Sequence, residues 1–137
     1  MTDLIRFHGS DTELTQITSS GIFGGLFGAS ESSAMSHGKY LHRLTSVNPL
    51  SNYELNYEIN GAYDTALNVC DGNEEVADII MTKGCETHST DPEDGWELQR
   101  LRGLLALALG YDSVEMEDEH GTTWLFLPGC KIDLVSQ

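Results

Sequence analysis

The chain has 137 residues, 39% of them hydrophobic and 21% charged, which is enough for one packed core and too ordinary a composition for disorder. Twenty-two acidic against seven basic residues give a formal charge of −15, which repels nucleic acid and anionic membranes and attracts basic partners. The longest apolar run, residues 104–109, falls far short of the ~20 residues that span a bilayer.

Residues 4–7 are β-compatible and end at His8, Gly9 and Ser10. Residues 11–20 are polar, with Leu14 and Ile17 spaced for one helical turn or a packed loop. Residues 21–30 mix glycine with Ile22, Phe23, Leu26 and Phe27, and their second half predicts a strand whose glycines permit close backbone approach. Ser30 then predicts an N-cap for a short helix over residues 31–36, with Gly38 near its end. Residues 40–47 return as a strand that Asn48 and Pro49 stop.

The middle of the chain predicts helices over residues 62–69 and 74–83, the second with Val76, Ile79 and Ile80 on one face and Gly84 closing it. A polar loop over residues 87–94 leads into the clearest helix. Asp91 suits its cap, Pro92 its first position, and Glu93 and Asp94 its positive end. Leu101, Leu104, Leu105 and Ala108 form its expected buried stripe, and Gly110 its stop. The tail predicts strands over residues 113–116, 122–127 and 131–135, with a turn at Asp118, Glu119, His120 and Gly121. Strands at both ends with helices between predict an α+β fold, and no repeat or linker divides residues 1–137 into more than one domain.

No Walker loop, GxGxxG, GxSxG or HExxH occurs, and the five histidines are scattered, so no metal site is expected. Cys70, Cys85 and Cys130, odd in number and widely spaced, are expected as reduced thiols. The N-terminal residues lack a basic stretch followed by an apolar one, so the expected location is cytosolic. Two polar constellations remain. In Phe7-His8-Gly9-Ser10, a glycine after a strand-end histidine lets backbone N–H and C=O groups face a ligand. Around Glu115, Glu117, Asp118 and Glu119, crowded carboxylates repel one another and attract cationic groups. Taken alone, the first also reads as an ordinary strand end with a locally satisfied histidine, and the second as a solvated hairpin tip.

In sequence order these motifs resemble the ADP-ribosyltransferase fold: a strand ending in His-Gly-Ser, a Gly/aromatic strand running into a short helix (residues 26–38), and a terminal hairpin with an acidic turn. More closely, Phe7-His8-Gly9-Ser10 and residues 109–122 (LGYDSVEMEDEHGT) resemble the phage-encoded anti-CRISPR ADP-ribosyltransferases that inactivate the type I-F surveillance complex. The resemblance spans roughly residues 4–47 and 98–135. It implies two small, mainly antiparallel sheets enclosing an NAD cleft, with helices between the N- and C-terminal strands. It also implies mono-ADP-ribosylation of a protein target, a subunit of a CRISPR–Cas surveillance complex in the bacterial cytosol, with NAD as donor and no metal.

Carried over by position, His8 would hold the adenosine-side ribose, and Gly9 would clasp the nicotinamide amide through its backbone with Ser10 beside it. Phe27, Ala29 and Ser30 would wall the nicotinamide-ribose pocket. Where the family supplies a stacking tyrosine, this chain offers His37 and Gly38, with Tyr40 two residues on. Where many relatives place a catalytic glutamate, it has Thr122 and Thr123, so the acidic role falls to Asp118, with Glu119 in reserve and His8 as the third catalytic candidate. Two other readings fit the same residues: a non-enzymatic acidic inhibitor that mimics DNA on a basic protein surface, and an ADP-ribosylating toxin with another target.

Overall fold

A computed structural model describes residues 3–19, 21–86, 90–118 and 121–136, with Asp118 and Ser136 described by backbone alone. Glu119 and His120, the centre of the expected acidic turn, lie outside the described residues, as do residues 87–89 of the polar loop.

Seven strands and five helices are present among the described residues: β1 (Leu4–Ser10), β2 (Leu26–Gly28), α1 (Glu31–Met35), β3 (Tyr40–Ser46), β4 (Pro49–Leu50), α2 (Asn52–Tyr57), α3 (Ala62–Val69), α4 (Glu74–Ile80), α5 (Pro92–Ala108), β5 (Ser113–Asp118), β6 (Gly121–Phe126) and β7 (Lys131–Ser136). The strands make two sheets, ordered β1-β3-β7 and β2-β6-β5-β4, and only the β4–β5 pair is parallel. This is the α+β arrangement the sequence predicts. The sheets join where Phe7 and Ala29 exchange two backbone hydrogen bonds of 2.8 Å.

Strand alternation splits the second sheet between two cores. Val114, Met116, Leu125 and Leu127 pack with Leu50, Leu55, Ile80 and Leu105 from the strand–helix segment. Phe126 joins Ile17, Leu44 and Cys130 in a smaller cluster with residues of the first sheet.

Several expectations need correction. Strand β3 does end before Asn48 and Pro49, but the chain enters an unforeseen further strand at once, in which Pro49 and Leu50 pair with Ser113 and Val114. The Asp112 carboxylate turns the chain there, accepting from Ser46 Oγ and from the Val47 and Asn48 N–H groups, each of the latter at 3.1 Å. Helix α2 was not foreseen, although Ser51 and Glu54 have capping-box spacing: Glu54 N–H donates to Ser51 Oγ at 3.1 Å, and Ser51 Oγ to Glu54 Oε1 at 3.1 Å. Helix α4 stops at Ile80, short of Lys83, where Thr82 Oγ1 and N–H both turn back to the Ile79 carbonyl.

The buried face of α5 also differs. Leu98, Arg102, Leu105 and Ala106 are buried, whereas Leu104 and Ala108 are exposed. Arg102 is fully buried because its guanidinium reaches carbonyls that the fold leaves without donors. Nη1 donates to Ile80 O at 2.7 Å, Nη2 to Glu115 O at 2.9 Å and Asn52 Oδ1 at 3.1 Å, and Nε to Glu115 O at 3.2 Å. All three cysteines are free, and burial raises the Cys85 thiol to about 11, which keeps it protonated.

Candidate active site

Strand β1 brings His8 and Gly9 to the junction of the sheets, where they border a cleft of about 430 Å³. Phe27 and Ala29 form another wall, His37 follows helix α1 into the rim, and Thr123 enters from β6. Five of the residues singled out from sequence therefore meet in one cavity: His8, Gly9, Phe27, Ala29 and His37. Phe23, Ala34 and Thr123 also border it and were not foreseen.

Ser10, Ser30 and Tyr40 stand beside the cleft, outside its lining. The Ser10 hydroxyl donates to the Thr12 carbonyl, and Ser30 Oγ caps α1 by accepting from Ser33 N–H at 3.3 Å. Tyr40 is the cross-strand partner of Ser10 and carries Lys39 Nζ over its ring, 5.3 Å from the centroid.

The His8 ring is fixed. Its Nδ1 lies 2.7 Å from the Phe27 carbonyl oxygen, and a carbonyl only accepts, so Nδ1 holds the proton and Nε2 keeps a lone pair. Burial lowers the imidazole below its ordinary value of 6.5. The Phe27 bond opposes this shift, and His42 and His37 reinforce it. At neutral pH His8 is thus a neutral acceptor with one tautomer. His42, its cross-strand partner, is buried, accepts from Leu14 N–H at 2.9 Å and donates from Nδ1 to the His8 carbonyl at 3.3 Å.

The aromatic wall is built in layers. Phe23 meets Phe27 edge-on with ring centroids 4.8 Å apart, and meets Trp96 of α5 the same way at 6.5 Å. Thr123 Oγ1 donates to Gly28 O at 2.9 Å, which ties β6 to β2 beyond their backbone ladder. Gly28 itself leaves no room for a Cβ, which would lie 2.7 Å from the Phe126 ring and 2.8 Å from the Arg6 Cβ.

Gly9 is required for packing. A Cβ there would collide with the Ala34 carbonyl oxygen at the end of α1. Gly9→Ala is expected to push α1 off β1, costing about 1–3 kcal/mol of stability in urea denaturation and deforming the wall that holds Ala34 and His37.

No residue lining the described cleft carries a carboxylate, in a chain of charge −15. The described lining therefore sets no negative charge against an anionic group such as a pyrophosphate. A recess of similar size, about 460 Å³, is bordered by Asp78, Glu86 and Glu117 and would repel the same group. Asp118 sits at the end of β5, paired with Gly121, two residues beyond Met116, the partner of Thr123. Its backbone is therefore about 7 Å along the strand from the Thr123 row. Among the described residues no group of His, Cys, Asp and Glu could hold a metal ion.

A family model described as the anti-CRISPR type I-F ADP-ribosyltransferase AcrIF11 matches residues 5–134. A solved structure described as a crystal structure of an anti-CRISPR protein is 57% identical in sequence and superposes with a TM-score of 0.92, covering 97% of this chain and 96% of that one. Comparison with curated protein sequences gives no match.

Proposed function

The chain belongs to the anti-CRISPR type I-F ADP-ribosyltransferase family, and on that premise we propose that it transfers ADP-ribose from NAD to a protein subunit of a CRISPR–Cas surveillance complex in the bacterial cytosol, blocking DNA recognition. The observation that carries this reading is the aromatic-walled cleft at the sheet junction, bordered by His8, whose ring is fixed with Nε2 as a free acceptor. A ribose hydroxyl donates to that lone pair, the Phe23–Phe27 wall offers apolar surface to a flat ring, and the Gly9 backbone approaches the ligand closely. Ser10, Ser30 and Tyr40 act through the strand end and helix that hold these groups.

Breaking the bond between nicotinamide nitrogen and ribose C1′ leaves positive charge on the sugar, as in glycoside cleavage. In our reading the Asp118 carboxylate at the end of β5 stabilises that charge, with Glu119 next to it in sequence. The acceptor side chain then bonds to C1′ on the opposite face and loses its proton, while nicotinamide departs with the bonding electrons.

The test mixes catalytic amounts of the protein with purified type I-F surveillance complex, with and without NAD, and reads the intact mass of every subunit. One ADP-ribose on one subunit, only with NAD, is the expected result. Unchanged masses, with inhibition appearing only at equal stoichiometry, would overturn the transferase reading in favour of an acidic decoy.

The His8 geometry also sets a pH dependence. Folded His8 binds a proton more weakly than the unfolded chain does, so its contribution to stability is intact above 6.5 and is lost as pH falls below that value. Protonation also removes the Nε2 lone pair. NAD affinity, measured calorimetrically, is expected to stay flat through 6.5 and to fall only at more acidic pH, where the folded imidazole, held below its ordinary value, takes up its proton. His8→Ala is expected to bind about tenfold more weakly and to lose that pH dependence.

A further inference from the structure

We propose that the face formed by α2 and the start of α3 is the docking surface for a basic, arginine- and lysine-bearing face of the acceptor protein. Two tyrosines of α2, Tyr53 and Tyr57, are 63% and 76% exposed, and their rings lie against each other with centroids 5.1 Å apart. Exposed, mutually packed tyrosines present a large amphipathic surface at little entropic cost, the composition that dominates protein interfaces. Their flat faces also accept guanidinium and ammonium groups.

Charge selects the occupant. No lysine or arginine occurs between Arg43 and Lys83, and Glu58, Asp64, Asp71, Glu74, Glu75 and Asp78 of that segment are all exposed. Tyr63, at the start of α3, stands near the Asp78 and Glu74 carboxylates. An aromatic patch within such a field repels nucleic acid and a second copy of this chain, and attracts a cationic protein surface.

The patch is also rigidly tied to the strand that ends in Asp118. Asn52 N–H donates to Glu115 Oε1 at 2.8 Å, Asn52 Oδ1 accepts from Arg102, and Asn56 Nδ2 donates to Met81 O at 2.9 Å. A partner held on α2 is therefore held in register with β5, which serves to orient an acceptor toward the sugar. The choice of probe rests on the proposed transfer reaction.

The experiment measures equilibrium binding of the surveillance complex to the wild-type chain, to Tyr53→Ala/Tyr57→Ala and to Glu58→Lys/Asp64→Lys at three salt concentrations. NAD binding and ADP-ribose transfer are measured on the same samples. All four side chains are exposed, so the fold is retained, and unchanged NAD binding reports it. Both variants are expected to bind the complex about tenfold more weakly or worse, the charge-reversed one with a shallower salt dependence, at unchanged NAD affinity. Wild-type affinity in both variants overturns the docking surface and leaves the transferase reading intact. Tight wild-type binding without transfer overturns the transferase reading, and the variants still decide the docking surface. Undetectable wild-type binding, or self-association that the tyrosine substitutions abolish, also overturns it.

Discussion

Asp118→Ala is expected to lower ADP-ribose transfer by about 10²–10³-fold, the usual loss when one preorganised group facing transition-state charge is removed. The change should appear in kcat, because the positive sugar exists only in the transition state and the ground-state contacts of the cleft remain. NAD affinity should stay within a factor of about two or three of wild type, in contrast to His8→Ala. Asp118 is the last residue of β5, its backbone paired with Gly121. Thermal unfolding measured on the same variant separates a lost charge from a lost fold. Asp118→Asn separates charge from shape, since the amide keeps the acceptor oxygen and loses the negative charge; it should be nearly as slow as the alanine variant. Single-turnover transfer by Asp118→Ala at the wild-type rate would remove this carboxylate from the chemistry and shift attention to Glu119, whose substitution should then carry the loss.

What could be read from sequence was whatever local chemistry decides. Asp91, Pro92, Glu93 and Asp94 announced the start of α5, and Asp91 Oδ1 does accept from Glu93 N–H at 3.0 Å. The short helix after Ser30 and the terminal hairpin were legible for the same reason: caps, turns and alternation act within a few residues. Helix α2 carries a local signal as well, in the spacing of Ser51 and Glu54. The rest depended on distance. The burial of Arg102 is set by carbonyls of Ile80 and Glu115, and the polar residue on that face could not be foreseen from a hydrophobic stripe. Phe23 and Thr123 reach the cleft through a loop and a sheet register, which no periodicity encodes. At Gly9 the sequence signals close backbone approach, and only the fold shows that the end of α1 occupies the space of its missing side chain.

Arg102→Ala is expected to destabilise the chain by about 3–5 kcal/mol, the largest effect predicted for any single side chain here. The guanidinium is fully buried and bridges three segments: the end of α4 through Ile80 O, the start of α2 through Asn52 Oδ1, and β5 through Glu115 O. Burial lowers it to about 10, so at neutral pH it is still charged and its bonds to the carbonyls are charge-assisted. Truncation takes the guanidinium donors from the Ile80 and Glu115 carbonyls, while Asn52 Oδ1 keeps Asn56 Nδ2 at 3.2 Å, and opens a cavity, and both costs add. Against a total stability of about 5–15 kcal/mol, such a loss moves the melting temperature down by roughly 10–20 °C. Arg102→Lys discriminates between explanations. A single ammonium keeps the charge and cannot span acceptors on three segments, so most of the loss should remain. A lysine variant as stable as wild type would show that the buried charge alone matters. In the reading favoured here, the fork geometry holds α2 and β5 in register, and Arg102→Lys should therefore loosen protein-acceptor transfer more than it loosens NAD binding.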